Sequence, residues 1–140
     1  MGSQPVVAIG SGLVVFLGIA KLDCEQDARY LVERIVNLRI FPSNTSNFNR
    51  SALDVRAELL VVSQFTLYSN TRKGRRPDFT QAAQPQDAKR LYLQAIEEFR
   101  ESGLTLATGS FGEYMRVELQ NEGPVTLMLD SSDRLRSRRS

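Results

Sequence analysis

Apolar residues fall along this chain in two rhythms, short unbroken runs and stripes at helical spacing. Leu13-Val14-Val15-Phe16-Leu17 and Leu59-Leu60-Val61-Val62 are runs of strand length. The first, with Val6–Ile9 before it, predicts a hairpin over Val6–Ile9 and Leu13–Ile19 around Gly10-Ser11-Gly12. The second opens the longest strand candidate, Glu58 to Tyr68. Ala28, Leu31, Val32, Ile35 and Leu38 recur every three or four residues behind Asp23 and Gln26, which predicts a helix with one buried face. A second stripe, Ala88, Leu91, Tyr92, Ala95, Ile96 and Phe99, has Pro85 at its first turn and Gly103 as its stop. Pro42–Asn49 and Thr71–Ala83 read as loops. Near the C-terminus, Tyr114–Gln120 and Val125–Asp130 alternate apolar with polar and predict two closing strands. The pattern is that of an α+β single domain with two helices and a mostly antiparallel, barrel-like sheet.

Composition narrows the chemistry. At 140 residues and 41% hydrophobic the chain is expected to bury one core. No apolar run approaches the roughly 20 residues of a membrane span. Cys24 is the single cysteine, which excludes an internal disulfide or a Cys-x-x-Cys site and fits a reducing cytoplasm. There is no histidine at all, so Ser-His-Asp, Cys-His and histidine–metal mechanisms are excluded. A base must then be a carboxylate, a lysine, the backbone acting with water, or the substrate itself. The tightest carboxylate pair, Glu97-Glu98, belongs to a solvated helix face. Neither a metal nor a cofactor is expected.

The net charge of +2 comes from residues 131–140, where four arginines and one aspartate leave the remainder slightly acidic. With one apolar residue that tail is expected to be disordered, either attracting nucleic acid or solubilising the chain. Within the body, Thr71-Arg72-Lys73-Gly74-Arg75-Arg76 is the dense basic cluster. It reads either as a solvated loop or as a contact for phosphates, which would position a nucleic acid without reading its sequence.

Two short stretches break the strand patterns. Ser63-Gln64-Phe65-Thr66-Leu67-Tyr68 places polar residues after an apolar run, and Asn121-Glu122-Gly123-Pro124-Val125-Thr126 sets glycine and proline before one. Proline removes a ladder donor and glycine weakens a strand, so a hairpin turn explains the second stretch if it is taken alone. Together, in this order and spacing, the two resemble the D-aminoacyl-tRNA deacylase signatures Ser-Gln-Phe-Thr-Leu and Asn-x-Gly-Pro-Val-Thr. The resemblance extends to Asn37–Phe41, to Asn70–Pro77 and to Thr108–Gly112, and covers most of the chain from Val6 to Asp130.

The resemblance implies hydrolysis of the ester joining a D-amino acid to the terminal ribose of tRNA, with glycyl-tRNA cleaved as well. It implies catalysis by the main-chain N–H groups of Phe65 and Thr66, with Gln64 beside them. The Thr66 hydroxyl as nucleophile is the competing idea. Ser63 would line the site. Gly123 and Pro124 would form a wall on the L face, inserted into the partner's site of a homodimer. Met115 would contact the terminal adenine or pack in the core, and Arg72, Lys73, Arg75 and Arg76 would meet tRNA phosphates. Family members begin with an additional apolar strand, whereas this chain starts Met1-Gly2-Ser3-Gln4-Pro5, so the expected fold lacks it. The domain is expected over 1–130 and the tail over 131–140. A non-catalytic nucleic-acid-binding homodimer of the same fold is the alternative.

Overall fold

In a computed structural model, which describes residues 6–123 and 125–136, three strands and three helices form the ordered frame. In chain order they are β1 (Gly12–Leu17), α1 (Glu25–Asn37), α2 (Ala52–Val55), β2 (Glu58–Ser63), α3 (Pro85–Glu101) and β3 (Leu106–Thr108). The sheet order is β1-β2-β3. Both pairings are parallel, Gly12 opposite Glu58 through Leu17 opposite Ser63, and Leu59 opposite Leu106 through Val61 opposite Thr108.

The parallel sheet corrects the expected antiparallel, barrel-like one. Antiparallel neighbours can be joined by a tight turn, but parallel ones need a long crossover, and both connections here carry helices. The unbroken runs Leu13–Leu17 and Leu59–Val62 also suit strands with apolar surroundings on both faces. The expected hairpin does not form. Instead the Gly10 N–H donates to the Glu58 carboxylate at 2.6 Å. The closing strands are not formed either: among the described residues, none of 114–129 takes part in a backbone–backbone hydrogen bond. Residues 1–5, where the fold was expected to lack the family's additional strand, lie outside the described ones.

Both stripes became helices, and their ends follow local chemistry. The Cys24 N–H donates to the Asp27 carboxylate at 2.8 Å, so α1 starts one residue later than Asp23 suggested. Pro85 occupies the first position of α3, and Gly103 follows with φ 82°. The additional helix, α2, is a single turn capped reciprocally by Ser51 and Asp54 at 2.9 and 3.0 Å.

The core lies between one sheet face and the helices. Leu17, Leu59 and Val61 pack there against Val32, Ile35 and Val36 of α1 and Leu91, Tyr92, Ile96 and Phe99 of α3. Leu59, Val61 and Phe99 are completely buried. The alternate β2 residues, Leu60 and Val62, line a wide groove of about 2560 Å³ whose other side includes the extended segment after Glu113. Of the expected tail, residues 131–136 are described and 137–140 lie outside the described ones. Ser131–Leu135 forms a 3-10 turn, with Ser131 only 5% exposed.

Candidate active site

β2 ends at Ser63 because its ladder runs out: the Gln64 N–H makes a last bond to the Leu17 carbonyl at 2.8 Å. The chain then tightens into a 3-10 turn, Phe65–Tyr68, in which the Leu67 N–H reaches the Gln64 carbonyl at 3.3 Å. The longest strand candidate is therefore a strand followed by a turn. A turn of this kind leaves its first N–H groups without internal partners. Among the described residues, neither the Phe65 nor the Thr66 N–H has a hydrogen-bond acceptor.

Side chains around the turn order it. The Gln64 side-chain amide donates to the Thr66 hydroxyl. The Phe65 ring, 56% exposed, meets the Phe79 ring edge-on with centroids 5.1 Å apart. Beneath the turn sits Gly18. A Cβ there would stand 3.0 Å from the Gln64 carbonyl oxygen, 3.0 Å from Leu67 Cβ and 3.3 Å from Tyr68 Cδ2. This close approach is a role for Gly18 that the apolar pattern did not reveal. A glycine directly after a strand-length run is its one local sign.

The Tyr68 hydroxyl is pushed up to about 12, first by burial and then by the nearby carboxylates of Asp23, Asp130 and Asp27. It therefore stays protonated at neutral pH. Burial likewise holds Asp23 above its ordinary value. Asp27 behaves oppositely. Burial would raise it, but the Cys24 N–H and the Arg134 guanidinium favour its charged form and bring it down to about 2.

The basic loop begins two residues beyond the turn. Asn70 and Asp78 close its base with reciprocal backbone bonds of 2.7 and 2.9 Å, and Gly74 turns its tip with φ 69°. Arg72, Lys73, Arg75 and Arg76 are all exposed, and among the described residues none of them forms an ion pair. The Phe65–Phe79 contact ties the turn to the chain just after the loop, so the cations and the unpaired N–H groups belong to one neighbourhood.

The remaining sequence-predicted residues lie elsewhere. Met115 is half-buried, its sulfur occupying the space where a Gly109 Cβ would go, beside Val62. Gly123 is exposed with φ 138°, and the Asn121 side chain donates to the Thr126 hydroxyl at 2.8 Å across the same loop. Pro124 lies outside the described residues. No hydrogen bond within this chain joins the described residues of that loop to residues 63–66.

Comparison with known proteins adds a family and relatives. A family model described as D-Tyr-tRNA(Tyr) deacylase matches residues 1–130. The chain is 54% identical over 138 residues to the D-aminoacyl-tRNA deacylase of Dehalococcoides mccartyi, covering 99% of this chain and 90% of that protein. It is 56% identical over 129 residues to the D-aminoacyl-tRNA deacylase of Heliobacterium modesticaldum, covering 92% and 85%. Among solved structures it resembles a c-Myc DNA unwinding element binding protein, with a TM-score of 0.84 at 38% identity over 92% of this chain and 88% of that one. It shares its fold with a probable eukaryotic D-amino acid tRNA deacylase, with a TM-score of 0.74 at 19% identity over 83% of each.

Proposed function

The chain belongs to the D-Tyr-tRNA(Tyr) deacylase family, and from that premise we propose that main-chain groups at the end of β2 carry its reaction. The reaction is hydrolysis of the ester in D-aminoacyl-tRNA, releasing the free D-amino acid and tRNA. The ester is activated by the neighbouring ribose hydroxyl, so water can attack it without a strong protein nucleophile. Water adds to the carbonyl carbon and negative charge develops on the carbonyl oxygen. The ester C–O bond then breaks, and a proton passes from the attacking water to the leaving ribose oxygen.

The observation that carries this reading is the pair of adjacent, unpaired N–H groups of Phe65 and Thr66. Fixed donors aimed at a developing oxyanion stabilise the transition state without reorganising at the moment of reaction. Gln64 holds the Thr66 side chain, and Ser63 lines the approach. We rank the Thr66 hydroxyl lower as a nucleophile, because among the described residues its hydrogen-bond partner is an amide and not a base.

Arg72, Lys73, Arg75 and Arg76 bind tRNA phosphates in this reading, and the exposure of all four beside the turn supports it. Gly123 and Pro124 act as a wall against an L side chain in the partner's site of a homodimer. Glycyl-tRNA, with no side chain to exclude, is also cleaved. A rejection of ~1000-fold needs roughly 4 kcal/mol, more than one methylene's difference in an apolar pocket gives, which favours a rigid wall.

The test is the deacylation rate of D-tyrosyl-, L-tyrosyl- and glycyl-tRNA against a control without protein. Fast loss of the D and glycyl esters with the L ester intact is expected. No acceleration of any ester would reject the reading. It would favour the nucleic-acid-binding alternative, to which the name of the DNA unwinding element binding protein lends some weight.

A further inference from the structure

The segment carrying Gly123 is held chiefly at its ends. Among the described residues, none of 114–129 has a backbone–backbone hydrogen bond, and the Asn121–Thr126 side-chain bond lies within the segment itself. At its start, the Gly109 N–H bonds to the Val61 carbonyl at 3.1 Å, and Met115 fills the space above Gly109. At its end, Asp130 caps the 3-10 turn by accepting from the Ser132 N–H at 2.9 Å.

That turn is clasped to α1. Arg134 Nε donates to Asp27 Oδ1 at 3.0 Å, with 26% and 13% of the two side chains exposed. The other Asp27 oxygen accepts the Cys24 N–H at 2.8 Å, so the carboxylate joins the helix start to the C-terminal turn. Ser131 is buried beside it, and its side chain faces the same carboxylate. The charges of Asp27, Asp23 and Asp130 also reach Tyr68, the last residue of the candidate catalytic turn, and add to burial in holding its hydroxyl protonated. A break in the clasp would free one end of that segment, which among the described residues has no ladder bond to hold it.

We propose that Arg134 is a positioning residue: through Asp27 it fixes the segment that carries Gly123, and so sets how strictly L-aminoacyl esters are refused. The proposal rests on the deacylase reading and adds to it a residue that touches neither substrate nor reacting atoms. A loosened segment yields more readily to an L side chain than a fixed one does. The D ester needs no such refusal, so its rate changes less.

The test uses the whole chain, as wild type, R134Q and R134K, with D- and L-tyrosyl-tRNA. R134Q is expected to raise the ratio of L to D rates by about tenfold, a shift of one decade in relative barrier. R134K, which restores a cation opposite Asp27, is expected to bring the ratio back to within about threefold of wild type. An unchanged ratio in R134Q overturns the proposal. So does a proportional loss of both rates accompanied by a lower melting temperature, which is what a merely structural residue produces. If R134Q does not fold, Ser131→Ala removes a weaker contact and no charge. A ratio raised about threefold then supports the proposal, and no rise overturns it.

A wild type that cleaves no ester rejects the deacylase reading separately. Chymotryptic cleavage within 114–129 still reports on the clasp in that case. Cleavage about tenfold faster in R134Q supports the positioning of the segment, and an equal rate overturns it.

Discussion

Replacing Gly18 with alanine tests whether the position of the turn after β2 matters to the chemistry. The new Cβ would lie 3.0 Å from the Gln64 carbonyl oxygen, 3.0 Å from Leu67 Cβ and 3.3 Å from Tyr68 Cδ2. Carbon atoms settle at about 3.5–4.0 Å, so the turn must withdraw by about 0.5 Å. A backbone oxygen and a Cβ cannot swing aside by changing rotamer, which forces the turn to move as a unit. The N–H groups of Phe65 and Thr66 then move with it. Overpacking of this kind costs about 1–3 kcal/mol. For a chain of this size that lowers Tm by about 3–10 °C. A displacement of about 1 Å can cost ~100-fold in rate, so half of it is expected to reduce kcat by about tenfold. Single-turnover deacylation of D-tyrosyl-tRNA, beside a thermal melt, reads both effects. A melt lowered by several degrees with kcat unchanged would refute the reasoning, since the turn would have moved without consequence for the reaction.

Three further outcomes follow from the same geometry. Gly12→Ala would drive a Cβ into the Glu58 carbonyl oxygen at the first rung of β1 on β2, so a loss of about 3 kcal/mol or more is expected in urea unfolding. Asp27, brought from 3.8 to about 2 in the folded protein, contributes stability that is fully present above the unfolded value and lost as pH falls through about 2. That contribution is about 2 kcal/mol, and melts between pH 5 and pH 2 should show it in the wild type and not in D27N; the raised Asp23 acts in the opposite sense at higher pH. Replacing Arg75 and Arg76 together by glutamine should raise KM for tRNA and reduce the slope of log affinity against log salt by about 2, with kcat retained. Unchanged salt dependence would remove the loop from the tRNA interface.

The helices were legible because their signals are local. Ala88 through Phe99 repeats at helical spacing, Pro85 needs no N–H at a first turn, and Gly103 supplies a positive φ. Strand partners were not legible. Leu59–Val62 announces a strand, but its neighbours are chosen by the crossovers through α1 and α3, which no window of residues contains. Val117, Leu119, Leu127 and Leu129 alternate as strand residues do, yet alternation gives an inward face and not a pairing partner. The motif around Phe65 could be picked out by residue type. That its N–H groups stand free depends on where β2 stops, which the Gln64 bond to Leu17 decides. Arg134 looked like one cation of a solvated tail, because Asp27, which holds it, lies more than a hundred residues earlier.

The position of β2 between its two neighbours has a consequence for synthesis on the ribosome. Gly12 finds its partner only at Glu58, and Leu106 only at Leu59, so no ladder exists until the middle strand has emerged. From then until α3 follows, the Leu59 and Val61 face lacks its cover of Leu91, Tyr92, Ile96 and Phe99. A nascent chain paused between Ser63 and Pro85 therefore presents an uncovered apolar face, and this is an interval in which a holding chaperone has something to shield.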